Sequence, residues 1–137
     1  MHNTIIMKEI YDFLKACPCY FIATMDGDQP RVRPFGTILL FEDKVYIQSG
    51  HKKDFAKQLA ANPKMELSAF DGKGNWIRLS ATMVEDNRVE AKKAMLDDYP
   101  SLRAMYDEND DNTAVWYMTN AKASVCSFTA APKETCF

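Results

Sequence analysis

"FIATMDGDQPRVRPFGTILLF", residues 21–41, is the stretch on which the fold turns. Residues 19–25 read as a β-strand, and Asp26-Gly27-Asp28-Gln29-Pro30 is strong turn chemistry. Residues 31–41 read as a second, antiparallel strand, disturbed at Pro34 and Gly36. Proline lacks the N–H that a ladder needs. Glycine inside a strand marks a bulge or a bend where something approaches the backbone. The second strand also carries two permanent cations. Alternation puts Arg31, Arg33 and Phe35 on one face and Val32 and Pro34 on the other. Burying an unpaired guanidinium is very costly, so each must reach water, a carboxylate or an anionic ligand. Two readings stay open: a solvated edge strand whose arginines block edge-to-edge pairing, or a strand that lines an anion site.

Working outward, residues 4–15 predict an amphipathic helix, with Ile6, Ile10, Phe13 and Leu14 on one stripe and Pro18 beyond its end. Glu42-Asp43 is a hairpin turn into a strand at 44–49. A short helix carrying Phe55 and Leu59 is stopped by Asn62-Pro63. Strands follow at 64–70 and 75–84, joined by the turn Asp71-Gly72-Lys73-Gly74. In the second of these, Ile77, Leu79, Ala81 and Met83 point one way, and Trp76, Arg78, Ser80 and Thr82 the other. A helix spans about 86–98, with a shorter helical piece at 101–106 and an acidic loop at 107–112. Residues 114–118 and 123–129 predict two last strands, and the tail from Ala131 reads as irregular. The result is mainly β, α+β overall: six or seven strands at hairpin spacing with short flanking helices, a small antiparallel barrel.

The 137 residues make one domain, with no internal repeat, linker or low-complexity segment. A chain of this size buries roughly two-thirds of its unfolded surface, enough for its own core. With 47% hydrophobic and 26% charged residues, the composition is that of an ordinary globular domain rather than a disordered one. A net charge of −2 argues against a nucleic-acid or acidic-membrane binder. There is no apolar run of about 20 residues and no signal-peptide pattern, so the expected location is the cytoplasm. Cys17 and Cys19 are spaced C-x-C around Pro18, and no second pair has ligand spacing. Reduced thiols without a metal are expected there.

The second chemical signal is "SGHKKDF", residues 49–55. Lys52 and Lys53 stand at the start of a helix, where partial positive charge already disfavours cations. A bound phosphate would resolve the conflict by taking both ammonium groups and the free amides, with the Ser49 hydroxyl in reach. The alternative is an exposed loop with its lysines in water. Four cations beside Phe35 and Trp76 suit a ligand with a phosphate and a flat ring system. No G-x-S-x-G elbow, P-loop or G-x-G-x-x-G is present. An enzyme with this sequence would borrow its chemistry from a cofactor.

In combination, "FIATMDGDQPRVRPF", "VYIQSGHKKDFAKQLAANPKMELSAF", "NWIRLSATM" and "AVWYMTNAKASVCSF" resemble the pyridoxamine 5′-phosphate oxidase-like flavoproteins. The likeness covers about residues 5–129 and is greatest to the small general-stress and nitroimidazole-resistance branches. It implies a split β-barrel forming a homodimer, with FMN at the subunit interface. It also implies that Arg31, Val32, Arg33, Pro34 and Phe35 line the flavin and that Gln48 and Ser49 join them from the next strand. Lys52 and Lys53 would hold the phosphate, with Trp76 and Arg78 on a strand that reaches toward the flavin. His51-Lys52-Lys53 stands where the vitamin B6 oxidases carry Ser-Arg-Lys, so pyridoxamine phosphate oxidation is not expected. The expected function is an FMN-dependent oxidoreductase passing electrons from a nicotinamide or another donor to a small acceptor. The alternatives are a non-catalytic flavin-binding stress or carrier protein and, more remotely, a haem or deazaflavin binder.

Overall fold

The structure, a computed structural model, describes residues 2–137. Helix α1 (His2–Ala16) precedes strands β1 (Tyr20–Asp26), β2 (Gln29–Phe35), β3 (Leu39–Phe41) and β4 (Lys44–Gly50). Helix α2 (Asp54–Ala61) leads to β5 (Lys64–Phe70) and β6 (Asn75–Glu85). Helix α3 (Val89–Asp98) and a 3-10 helix (Pro100–Ala104) come next, then β7 (Thr113–Ser127) and β8 (Lys133–Cys136). The eight strands form one antiparallel sheet in the order β2-β1-β5-β6-β7-β4-β3, with β8 added on β7.

The sheet curls around one apolar core. Alternation on β6 buries Ile77, Leu79, Ala81 and Met83, as the pattern predicts, against Ile22, Leu67, Val45 and Ile47. The α1 stripe of Ile6, Met7, Ile10 and Leu14 closes this core. Strand β4 is covered on both faces. Its opposite side puts Tyr46 with Leu39, Ala91, Met95 and Val115 in a second cluster under α3. The Tyr46 hydroxyl donates to Asp86 Oδ2 at 2.8 Å, and Arg88 also grips that carboxylate, with NH2 to Oδ2 at 2.9 Å. These bonds pin the start of the α3 insertion to the barrel.

The structure departs from the sequence reading in three places. Residues 31–41 are two strands, not one. The chain leaves β2 at Phe35, crosses through Gly36-Thr37-Ile38 and enters β3 at the opposite end of the sheet order. The apolar run that continues through Ile38, Leu39 and Leu40 hides the break, which Pro34 and Gly36 only hint at. Polar bonds hold the crossing segment: Tyr20 OH donates to Thr37 O at 2.7 Å, and Gln48 N to Thr37 Oγ1 at 3.2 Å. Residues 114–118 and 123–129 are the two halves of one long strand, β7. It bends at Asn120, where φ is +49°, opposite a register shift between Ser80 and Thr82 of β6. The first half of β7 pairs with β4 and the second with β8, so two strands share one edge of it. The tail forms β8 rather than an irregular end, with Phe137 and Ala121 exchanging both backbone bonds at 2.8 and 3.0 Å.

Candidate cofactor site

A cavity of about 680 Å³ opens where β2, β4, α2 and the 3-10 helix meet. Arg33, Pro34 and Phe35 line it from β2, Gln48 and Ser49 from β4, and Lys53, Asp54 and Phe55 from the start of α2. Gly36 and Thr37 of the crossing segment complete that side. The far wall is Tyr99, Ser101, Leu102, Met105 and Tyr106.

Six of the expected site residues are therefore brought together: Arg33, Pro34, Phe35, Gln48, Ser49 and Lys53. The others lie elsewhere on this chain. Arg31 Nε pairs with Asp26 Oδ2 across the hairpin at 3.2 Å, exposed on both sides. Val32 faces outward and is 67% exposed. Lys52 stays in the exposed link before α2 and does not line the cavity. Trp76 and Arg78 lie on the outer face of β6, where Trp76 packs against Phe128 with ring centroids 5.0 Å apart.

Arg33 explains how the strand tolerates a cation on its inner face. Its NH1 donates to Thr24 Oγ1 at 2.7 Å, and its NH2 to Gln58 Oε1 at 2.8 Å. Thr24 Oγ1 also donates to Gln58 Oε1 at 2.6 Å, so the three side chains close a triangle. The guanidinium lies over the Phe55 ring at 5.1 Å. Burial pushes its pKa down from the ordinary value, partly offset by the Asp54 carboxylate. Phe35 in turn packs on Phe55 with centroids 4.7 Å apart.

The link Gly50–Lys53 differs from the sequence expectation in which amides are free. His51 N donates to Asn112 O at 2.7 Å, Lys52 N to Asn112 Oδ1 at 3.0 Å, and Lys53 N to Gly50 O at 3.0 Å. Lys53 is the residue before the helix, with no side-chain cap. The amides of Asp54 and Phe55, both cavity residues, have no partner among the described residues. The end of the cavity at the start of α2 thus carries two cations, Arg33 and Lys53, against the one carboxylate of Asp54, together with two free helix amides. The opposite wall is aromatic and apolar, anchored by Tyr99, whose hydroxyl accepts from Ile38 N at 3.0 Å and Lys15 Nζ at 2.8 Å.

The sequence reading missed this wall. One signal was available: Leu102, Met105 and Tyr106 fall at i, i+3 and i+4 of the short helical piece, an apolar stripe that needs something to face. None of that 3-10 helix is buried, and Met105 is 72% exposed.

Elsewhere, no group of His, Cys, Asp or Glu able to hold a metal occurs among the described residues, where all four cysteines are free. No described helix is long and apolar enough to cross a membrane.

A family model of pyridoxamine 5′-phosphate oxidase matches residues 6–125. A NimC/NimA family protein of Clostridium acetobutylicum superposes with a TM-score of 0.95 at 41% identity, over 98% of this chain and 94% of that one. General Stress Protein 26 of Bacillus anthracis superposes at 0.75 with 11% identity, over 100% of both chains. A haem-binding protein of Mycobacterium smegmatis does so at 0.70 with 12% identity, over 95% of this chain and 57% of that one. The last two likenesses are of fold alone. Among curated proteins there is no significant match. With its eight-stranded split barrel, the chain belongs to the pyridoxamine 5′-phosphate oxidase family, as a member of the NimC/NimA family of proteins.

Proposed function

We propose that the protein binds FMN in this cavity and acts as an FMN-dependent oxidoreductase on a small electron acceptor. One observation carries the reading: a single cavity has a cationic, amide-rich end and an aromatic wall. Lys53, Arg33 and the Asp54 and Phe55 amides suit a phosphate. Phe35, Tyr99, Leu102 and Tyr106 suit a flat ring. The volume accommodates a mononucleotide-sized ligand.

Bound FMN would supply the redox chemistry, taking electrons from a donor such as a reduced nicotinamide and passing them on. The chain supplies affinity and orientation. Gln48 and Ser49 offer polar groups beside the ring, and both are buried. Their geometry is set by Gln48 Nε2 donating to Ser49 O at 2.9 Å.

The cavity is open on one side in a single chain, and a homodimer would cover it. The outer face of the sheet supports this reading. Phe21, Val32 and Phe70 are each more than half exposed there, and Phe128 is 80% exposed beside Trp76. Arg31, Val32, Trp76 and Arg78 would then act near or across that interface rather than within one chain's cavity.

A haem held through an axial histidine would need one at the cavity. His51 is outside the cavity, with Nε2 held 2.6 Å from Glu85 Oε2. The test is the absorption spectrum of the purified protein. The two bands of an oxidised flavin are expected, and a Soret band would replace this reading with haem. Bleaching of the flavin bands by a reduced nicotinamide then separates an enzyme from a carrier.

A further inference from the structure

The link that carries Lys53 is held from behind by one residue outside the cavity. Asn112 accepts from His51 N with its backbone oxygen at 2.7 Å and from Lys52 N with Oδ1 at 3.0 Å. Its own N–H donates to Asp110 Oδ1 at 3.0 Å, which steadies it against the acidic loop. Asn112 also lies directly over Gly50. A β-carbon there would meet its Nδ2 at 2.9 Å and its Oδ1 at 3.0 Å. Gly50 has no positive φ, so the glycine makes room for Asn112 rather than permitting an unusual backbone.

These contacts decide which groups face the ligand. Asn112 takes up the His51 and Lys52 amides, whose residues do not line the cavity, and Gly50 O takes that of Lys53. Lys53, Asp54 and Phe55 line the cavity, and the amides of Asp54 and Phe55 make no hydrogen bond among the described residues.

We infer that Asn112 is a positioning residue. Acting through Gly50–Lys53, it sets where the phosphate of a bound flavin mononucleotide meets Lys53 and the first amides of α2. It thereby sets the preference for the phosphorylated over the unphosphorylated flavin. The inference rests on the FMN reading above.

The experiment is a fluorescence titration of FMN and of riboflavin into wild type, Asn112→Ala, Gly50→Ala and the double variant. Wild type should prefer FMN. Asn112→Ala should weaken FMN by about tenfold and leave riboflavin within about twofold, so the selectivity contracts about tenfold. Gly50→Ala, which crowds the Asn112 side chain, should contract it similarly. The double variant should fall no further than either single one, because both act through one contact.

If wild type prefers FMN and Asn112→Ala keeps the full preference, the positioning role is overturned while FMN binding stands. If Asn112→Ala weakens both flavins equally, its role is structural and the inference is again overturned. If wild type binds both flavins alike, the FMN reading itself fails and takes the inference with it.

Discussion

The Arg33 guanidinium on β2 donates to Gln58 Oε1 on α2 at 2.8 Å, and this bond joins the edge hairpin to the helix that begins at the cavity. The arginine is therefore tolerated first because protein groups satisfy it, and it presents itself to a ligand second. Gln58→Leu keeps the bulk and removes the shared acceptor of Arg33 and of Thr24, which is only 2% exposed. Unfolding in urea should show a loss of about 1–3 kcal/mol. The same variant should bind FMN about five- to tenfold more weakly, since Arg33 is no longer held. An unchanged midpoint would mean that the triangle is not a stabilising contact.

The same hairpin shows how far the sequence was legible. Alternation placed Arg33 and Phe35 on one face and Val32 and Pro34 on the other; in the structure the first two are part-buried and the second two exposed, although Pro34 still touches the cavity. It does not separate Arg31 from Arg33, because a period of two cannot say where along a strand the cavity lies. Asp26, across the turn, settles Arg31. Lys52 and Lys53 differ for a similar reason: one residue of link turns Lys52 out and leaves Lys53 at the cavity. The break after Phe35 was hidden by apolar residues that serve two different strands. The wall from Tyr99 to Tyr106 comes from an insertion whose place against Thr37 and Gln48 depends on tertiary contacts, the Tyr99–Ile38 bonds among them.

Acid should act on the anchor of that insertion. The Asp86 carboxyl is held down at about 2, chiefly by Arg88 and further by the Tyr46 hydroxyl, against the opposing effect of burial. A depressed native pKa contributes stability that is complete above the ordinary value of 3.8 and is lost as pH falls toward about 2. Asp86→Asn should therefore melt below wild type at neutral pH, with the gap closing across that acid range. A gap that stays constant with pH would show that the charge of Asp86 is not what stabilises the anchor.

The apolar outer face predicts self-association. Sedimentation equilibrium at micromolar concentration should give a dimer. Phe21→Lys places a cation on a side chain that is 51% exposed in the single chain. A two-fold contact would feel it twice, which should weaken the dimer by about 100-fold or more. A wild-type protein that is monomeric with flavin bound would remove the interface from the account.

In this reading Lys53 holds the phosphate of FMN, and titration of FMN and riboflavin into wild type and Lys53→Ala measures that contact. Charge-assisted hydrogen bonds to phosphate are worth roughly 1.5–3 kcal/mol. Lys53→Ala should accordingly bind FMN about 10- to 100-fold more weakly and riboflavin almost as wild type does. The flavin-free variant should melt no lower than wild type, because Lys53 makes no cap bond and its loss removes a cation from the start of α2. Equal FMN affinity in the two proteins would contradict the claim, leaving Lys53 a solvated lysine beside the cavity.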